Sequence, residues 1–443
     1  MKTLRIGSGA GYSGDRIDPA VELVRFGNLH YLVFECLAER TIALAHHNKA
    51  KGLSDGYDPL LEERMLAVLP ECRRQGIRII TNMGAANPVA AAKKTREIAQ
   101  QLGLTGLRIA AVQGDDVLDQ LPADARLLES GESIQTLNGR ILSANAYLGA
   151  GPIVDALRGG AYVILTGRVA DPSLFLAPLI HEFGWPVDDW NLMGQGTVIG
   201  HLLECAGQLT GGYFADPGYK DVPNLARLGF PFAEVSEDGT AVFSKVEGSG
   251  GLLNRATCIE QLLYEIQDPT AYLTPDVTAN FTEVEIEEVA PNQIQVTGGR
   301  GLPRPPTLKV SVGYNDCWVG EGQISYAGLG ALARAQLAQA ILAERLQSFA
   351  FEELRFDFIG VNSIHGDRLS LPHAEPYEVR LRVACRAAAS VIANMVPREV
   401  EALYTNGPSG GGGVTTTLKQ TVAILSTLIP ASAVKPHITY EVA

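Results

Sequence analysis

Short apolar runs alternate with helical stretches along the first part of the chain. The runs at residues 4–8, 31–37, 78–82, 107–113, 140–145 and 162–167 are brief and often β-branched, which suits strands buried on both faces. Between them, residues 59–75, 88–102 and 152–158 place apolar side chains at helical spacing, and Gly103 follows the second as a natural C-cap. Four times an apolar run enters a Gly- or Asn-rich loop and a helix then starts on a proline: residues 7–19, 81–88, 143–152 and 166–172. Proline suits the first helical position because its missing N–H would be unpaired there anyway. Asp18, Asn87 and Asp171, just before three of these prolines, are predicted N-caps. A strand that repeatedly feeds a capped helix predicts an α/β fold, a mostly parallel sheet with crossover helices. Ligands in such folds sit outside the carboxyl ends of the strands, where these loops lie.

Further on the pattern shifts. Residues 191–278 read as mainly helical with a Gly-rich interruption. Near Phe281 the alternation becomes period two, as in half-exposed antiparallel strands, and the prolines of residues 303–306 rule out a central strand there. A helix (330–348), a strand (354–361), helices (377–395 and 398–404) and a terminal strand (437–442) follow. At 443 residues the chain exceeds one ordinary core. The expected division is an α/β domain, residues 1–280, whose strand-end loops form the site, and a smaller α+β domain, residues 281–443, that contributes a Gly-rich loop.

The formal charge of −13 argues against nucleic acid as a partner, since phosphate binding needs a basic face. No apolar run approaches the roughly 20 residues that span a bilayer, and the first residues lack the apolar stretch of a secretory signal. A cytoplasmic protein without membrane contact is expected. The six cysteines form no CxxC pair, so reduced thiols in the core are expected. Cys36, beside Glu35, is the one with a reactive alternative, although no neighbour in sequence lowers its pKa. The long Ala/Leu helices point to a homo-oligomer.

Candidate chemistry gathers at the loops. Gly9 and Gly11, in GSGAGYSGDR, let the backbone approach an anion, with Arg16 adding a bidentate contact; the competing reading is a tight turn. Gly410, Gly411 and Gly412, in TNGPSGGGGVTTT, form either a nest of backbone donors or a plain surface loop. Asp115, at a strand end, is an acid–base or Mg²⁺ candidate, and Arg168 is the candidate cation for a substrate carboxylate. Asn82 and Asn145 stand at matching strand ends, where amides orient a carbonyl or close an Asx-turn. Glu35, ending an apolar strand, would have its carboxyl pKa raised by desolvation, as a general acid or base needs; Glu204 is a weaker candidate of the same sort. The histidines show no metal spacing, so no metal site is expected, and each isolated one, His201 included, reads as structural.

The ordered blocks GSGAGYSGDR, YLVFECLAE, ITNMGAANP, SANAYLGA, TGRVADPSL, EQLLYEI, RPPTLKVSVGY and TNGPSGGGG resemble the acyclic terpene utilisation AtuA-type family over nearly the whole chain. The resemblance implies cytoplasmic carbon catabolism, including degradation of branched terpene acids through coenzyme A esters. It brings no catalytic motif with it. The leading expectation is an enzyme acting on a small carboxylic acid or acyl-CoA ester by acid–base chemistry of the hydratase, lyase or isomerase type. Coenzyme A would enter only as part of the substrate. A nucleotide- or Mg-dependent enzyme using the first Gly loop, and a non-catalytic partner in a catabolic complex, are the alternatives.

Overall fold

A computed structural model describes residues 2–137, 139–370 and 376–443. The chain divides into two compact units. The first runs up to Gly313 and takes in Ile424–Ala443; the second is Tyr314–Ala423. The expected boundary at Phe281 falls inside the first unit.

The six apolar runs all become strands: β1 (Thr3–Ala10), β2 (Tyr31–Phe34), β3 (Arg78–Thr81), β4 (Arg108–Gln113), β5 (Ile141–Ala146) and β6 (Val163–Thr166). Between them lie α1 (Asp18–Phe26), α2 (Glu39–Ala50), α3 (Leu61–Gln75), α4 (Pro88–Gln101) and α5 (Gly151–Arg158). Strands β1, β2, β3, β6 and β4 lie side by side in that order, each pairing parallel. Their carboxyl ends therefore share one edge.

The flanks are antiparallel, and the ten-stranded sheet is mixed, with a parallel centre. Beyond β1 come β7 (Pro231–Ser236) and β8 (Ala241–Lys245), from a region expected to be mainly helical. The signal for them is Asp238–Gly239, a hairpin dipeptide, with Gly239 at φ 88°. The alternating strands Gln293–Thr297 and Glu285–Ala290 then continue the sheet from β8. On the far side the terminal strand His437–Val442 pairs antiparallel with β4. β5 stands outside this sheet and pairs with the strand Thr307–Ala327, so Asn145 is not at a strand end equivalent to that of Asn82.

Apolar residues of the central strands (Leu32, Phe34, Ile79, Ile109, Val163) pack against Leu23 of α1, Val68 and Leu69 of α3 and Ile98 of α4. The proline rule holds at three of the four loops, with Pro19, Pro88 and Pro152 in the first turns of α1, α4 and α5, whereas Pro172 precedes the helix Ser173–Phe183 as its N-cap. The capping rule holds at Asn87, whose side chain accepts from the Ala90 N–H at 3.3 Å. It fails at Asp18, which begins α1 and binds Arg16, and at Asp171, which is drawn to Arg168. An arginine two or three residues away offers a charge-assisted partner that outcompetes a backbone amide.

The second unit has its own sheet, built by Glu353–Ile359, Glu378–Ala387 and the portions of Thr307–Ala327 and Gly412–Pro430 that fall within it. Ala335, Ala338 and Leu342 of the helix Ala331–Leu346, with Val396 and Val400 of Met395–Asn406, bury Ile324, Leu381 and Val383 of that sheet. Among the described residues, no helix is long and apolar enough to cross a membrane.

Candidate functional site

At the carboxyl edge of the parallel strands lies a cavity of about 600 Å³, built from the first unit, a size typical of small-molecule sites. Gly11 follows β1 into it, Glu35 follows β2, and Arg168 follows β6. Two further helices, α6 (Ser173–Phe183) and α7 (Trp190–Glu204), bring Asp171 and Pro172 before the one and Glu204 at the end of the other. Glu39, Tyr147, Glu265, Tyr272 and Lys309 are among the cavity's other polar residues; Leu128, Leu273, Leu308 and Leu428 are among its apolar ones.

Glu35 is 8% exposed. Its Oε1 accepts from the Asn82 amide at 2.9 Å and from the Leu37 N–H at 2.8 Å. Asn82 is held in turn, its Oδ1 accepting from the Cys36 N–H at 2.7 Å. Burial pushes the Glu35 carboxyl up to about 7, against those two hydrogen bonds and the nearby Arg168 charge; Glu204 adds to the rise. A group poised there exchanges protons at neutral pH. Replacing Asn82 by Ala removes a donor that favours the ionised form, so Glu35 should ionise at higher pH in N82A. Carbon-13 NMR of the Glu35 carboxyl reads this directly; an unmoved or lowered midpoint would contradict the assignment.

Arg168 is almost wholly buried, and its guanidinium is already engaged. It donates to the Leu37 carbonyl, lies 3.3 Å from Asp171 and sits over the Tyr147 ring at 4.1 Å. The Tyr147 hydroxyl donates to Glu39, and Lys309 reaches Glu39 Oε1 at 3.2 Å. Burial would raise the Glu39 carboxyl, but Arg168, the Tyr147 hydroxyl and Lys309 together hold it down to about 2.

Glu204 forms a buried pair with His201, Nδ1 to Oε1 at 2.9 Å, while His201 Nε2 lies 3.3 Å from the Leu262 carbonyl. Burial alone would lower the imidazole pKa, but Glu204 raises it. The imidazole packs against Tyr272 and Phe281, with ring centroids 5.7 and 5.5 Å away. Structural as His201 is, it supports a carboxylate that lines the cavity.

Other candidates serve the scaffold. Asp115 Oδ2 accepts from the Arg168 N–H at 2.8 Å and from Asn145 Nδ2 at 3.0 Å, so both residues hold the turn after β6 and neither lines the cavity. Burial lifts the Asp115 carboxyl to about 6. Gly9 lies within β1 with no room for a Cβ, which would come 2.7 Å from the Phe34 ring. The N–H groups of Gly11 and Arg16 are both taken by Asp15, at 2.9 and 2.8 Å, so this loop closes on its own carboxylate and does not offer those donors to an anion. Arg16 turns outward to Asp18. Gly410, Gly411 and Gly412 belong to the second unit, where a Cβ on Gly411 would meet Ile324 and Tyr326.

What Gly11 does require is closeness. A Cβ there would lie 2.6 Å from the Cys205 carbonyl carbon, backbone against backbone. Gly11→Ala should cost ~1–3 kcal/mol through overpacking, read as a lowered urea midpoint. An unchanged midpoint would mean that the loop and the end of α7 move apart freely.

Arg64, in the apolar face of α3, escaped the sequence reading. It is fully buried, pairs with Asp58 at 3.4 Å and donates to the Ser13 and Asp15 carbonyls at 2.8 and 3.2 Å, tying down the first loop. Its position between Leu61, Met65 and Val68 was the available signal. Arg64 also lies 3.3 Å from the Cys36 sulfur, yet burial still pushes that thiol well up, against a reactive role.

Among the described residues, no group of three His, Cys, Asp or Glu side chains is placed to hold a metal ion. No curated protein matches the chain. A family model described as acyclic terpene utilisation family protein AtuA matches residues 4–440. With nearly its whole length covered by that model, the chain belongs to the acyclic terpene utilisation family AtuA.

Proposed function

We propose that the protein is a catabolic enzyme that acts on an acyl substrate by acid–base chemistry, with Glu35 as the group that takes and returns the proton. One observation carries the reading: a buried carboxyl poised near neutrality, oriented by an amide and a backbone N–H, at the carboxyl end of a parallel strand and lining a cavity. Moving a proton next to a carbonyl serves hydration, isomerisation and carbon–carbon lysis alike. The leucines and prolines of the wall suit a branched hydrocarbon chain, in keeping with acyclic terpene utilisation. A nucleotide phosphate finds less support, because the first loop spends the Gly11 and Arg16 N–H groups on Asp15.

The test is a thermal-shift panel of branched acyl thioesters and esters, hydroxy acids, and ATP with Mg²⁺. A ligand of the native state raises the melting temperature by mass action. Acyl compounds should do so, and wild-type protein in deuterium oxide should exchange the hydrogens beside their carbonyl. Stabilisation by nucleotide alone, or exchange undiminished in Glu35→Gln, would overturn the reading.

A further inference from the structure

The cavity lining carries five carboxyl side chains, Glu35, Glu39, Asp171, Glu204 and Glu265, against two cations, Arg168 and Lys309. Both cations are paired with acids of the wall, although the buried Arg168 Nε has no hydrogen-bond partner among the described residues. Arg168 is held by the Leu37 carbonyl, Asp171 and the face of Tyr147, and Lys309 lies at Glu39 and 5.1 Å from the same ring. Glu204 is 8% exposed; His201 engages its Oε1, and its buried Oε2 has no hydrogen-bond partner among the described residues. Burial favours the protonated form of Glu204, and a protonated Oε2 in a ligand-sized space is satisfied when an occupant brings it an acceptor.

We propose that the reacting end of the ligand enters this cavity uncharged, as an ester-type or ketone carbonyl, and that free carboxylates are turned away by the acids that line it. The inference rests on the acyl-substrate reading above and narrows it. A substrate carboxylate would bring a further negative charge to Glu35, Asp171 and Glu204, in a space where charges interact more strongly than in water. A neutral carbonyl brings no such cost and accepts a hydrogen bond from any of these acids when it is protonated. The groups facing Glu35 are Arg168, Asp171 and Glu204 on the cavity side and the Cys36 and Cys205 thiols beside it. Behind Glu204 stand His201 and, at the rim, Glu265. A carboxylate is thus accepted only together with a proton.

Calorimetry with a branched medium-chain fatty acid and its methyl ester tests this on the intact protein. The ester should weaken only slightly between about pH 6 and about pH 8, whereas the acid should weaken roughly tenfold or more over that interval, with up to one proton taken up per acid bound. Glu204→Gln and Glu35→Gln should each recover acid binding at the higher pH, because glutamine keeps the shape and removes the charge. Acid bound as tightly as ester at about pH 8, or an acid–ester preference untouched by both substitutions, would overturn the inference while leaving the acyl-substrate reading in place. Binding of neither compound at any pH would overturn that reading, and the inference with it.

Discussion

Glu35→Gln should lose turnover by roughly 10²–10⁴ and yet be the more stable protein above neutral pH. Both outcomes follow from one carboxyl. In the folded state burial holds it at about 7, whereas an exposed glutamate ionises near 4.5. A raised carboxyl binds more protons folded than unfolded between those values, so its contribution to stability falls as pH rises through that window and is flat above it. A difference of about two and a half pH units corresponds to ~3 kcal/mol. Glutamine cannot ionise, but its carbonyl can still accept from Asn82 and the Leu37 N–H. Urea denaturation of both proteins at about pH 4.5 and about pH 8 should show the stability difference, variant over wild type, growing toward alkaline pH. A difference independent of pH would mean that Glu35 is not buried in its charged form. Stabilisation with loss of rate is the expected trade where a site is strained for function.

Removal of Arg168 is expected to have the opposite character. Arg168→Met should destabilise by ~1–3 kcal/mol, because the partly buried Asp171 carboxyl and the buried Leu37 carbonyl lose their partner. Asp171 would lose the guanidinium 3.3 Å away, the Leu37 carbonyl its donor, and Tyr147 the cation over its ring. Glu39 would rise from about 2, since Arg168 is the foremost influence that lowers it. The double variant Arg168→Met/Asp171→Asn should recover part of the loss, which separates charge pairing from plain packing. A single variant as stable as wild type, or a double variant that only adds a second loss, would show that Arg168 is held by its hydrocarbon alone.

Both predictions concern a cavity whose place, more than its chemistry, was legible along the chain. Glu35 and Arg168 stood out because a charge directly after a short apolar strand must sit at a strand end, and strand ends in an α/β fold carry the ligands. The period-two pattern after Phe281 gave true strands, yet it could not say that they would join the first sheet. Asn145 looked equivalent to Asn82 because its strand looked like a sixth member of the parallel set; pairing with Thr307–Ala327 took it elsewhere.

Local order in the chain thus determined the alternation of strand and helix, the proline-started helices and the edge on which the site opens, since these depend on side-chain periodicity and backbone φ within a few residues. Only the tertiary structure decided which charges meet. Lys309 reaches Glu39 across some 270 positions, Asp115 pins the Arg168 backbone across 53, and Glu204 arrives at the end of a distant helix. Whether a carboxyl is a cap, a brace or an acid depends on the burial and partners that such long-range contacts create.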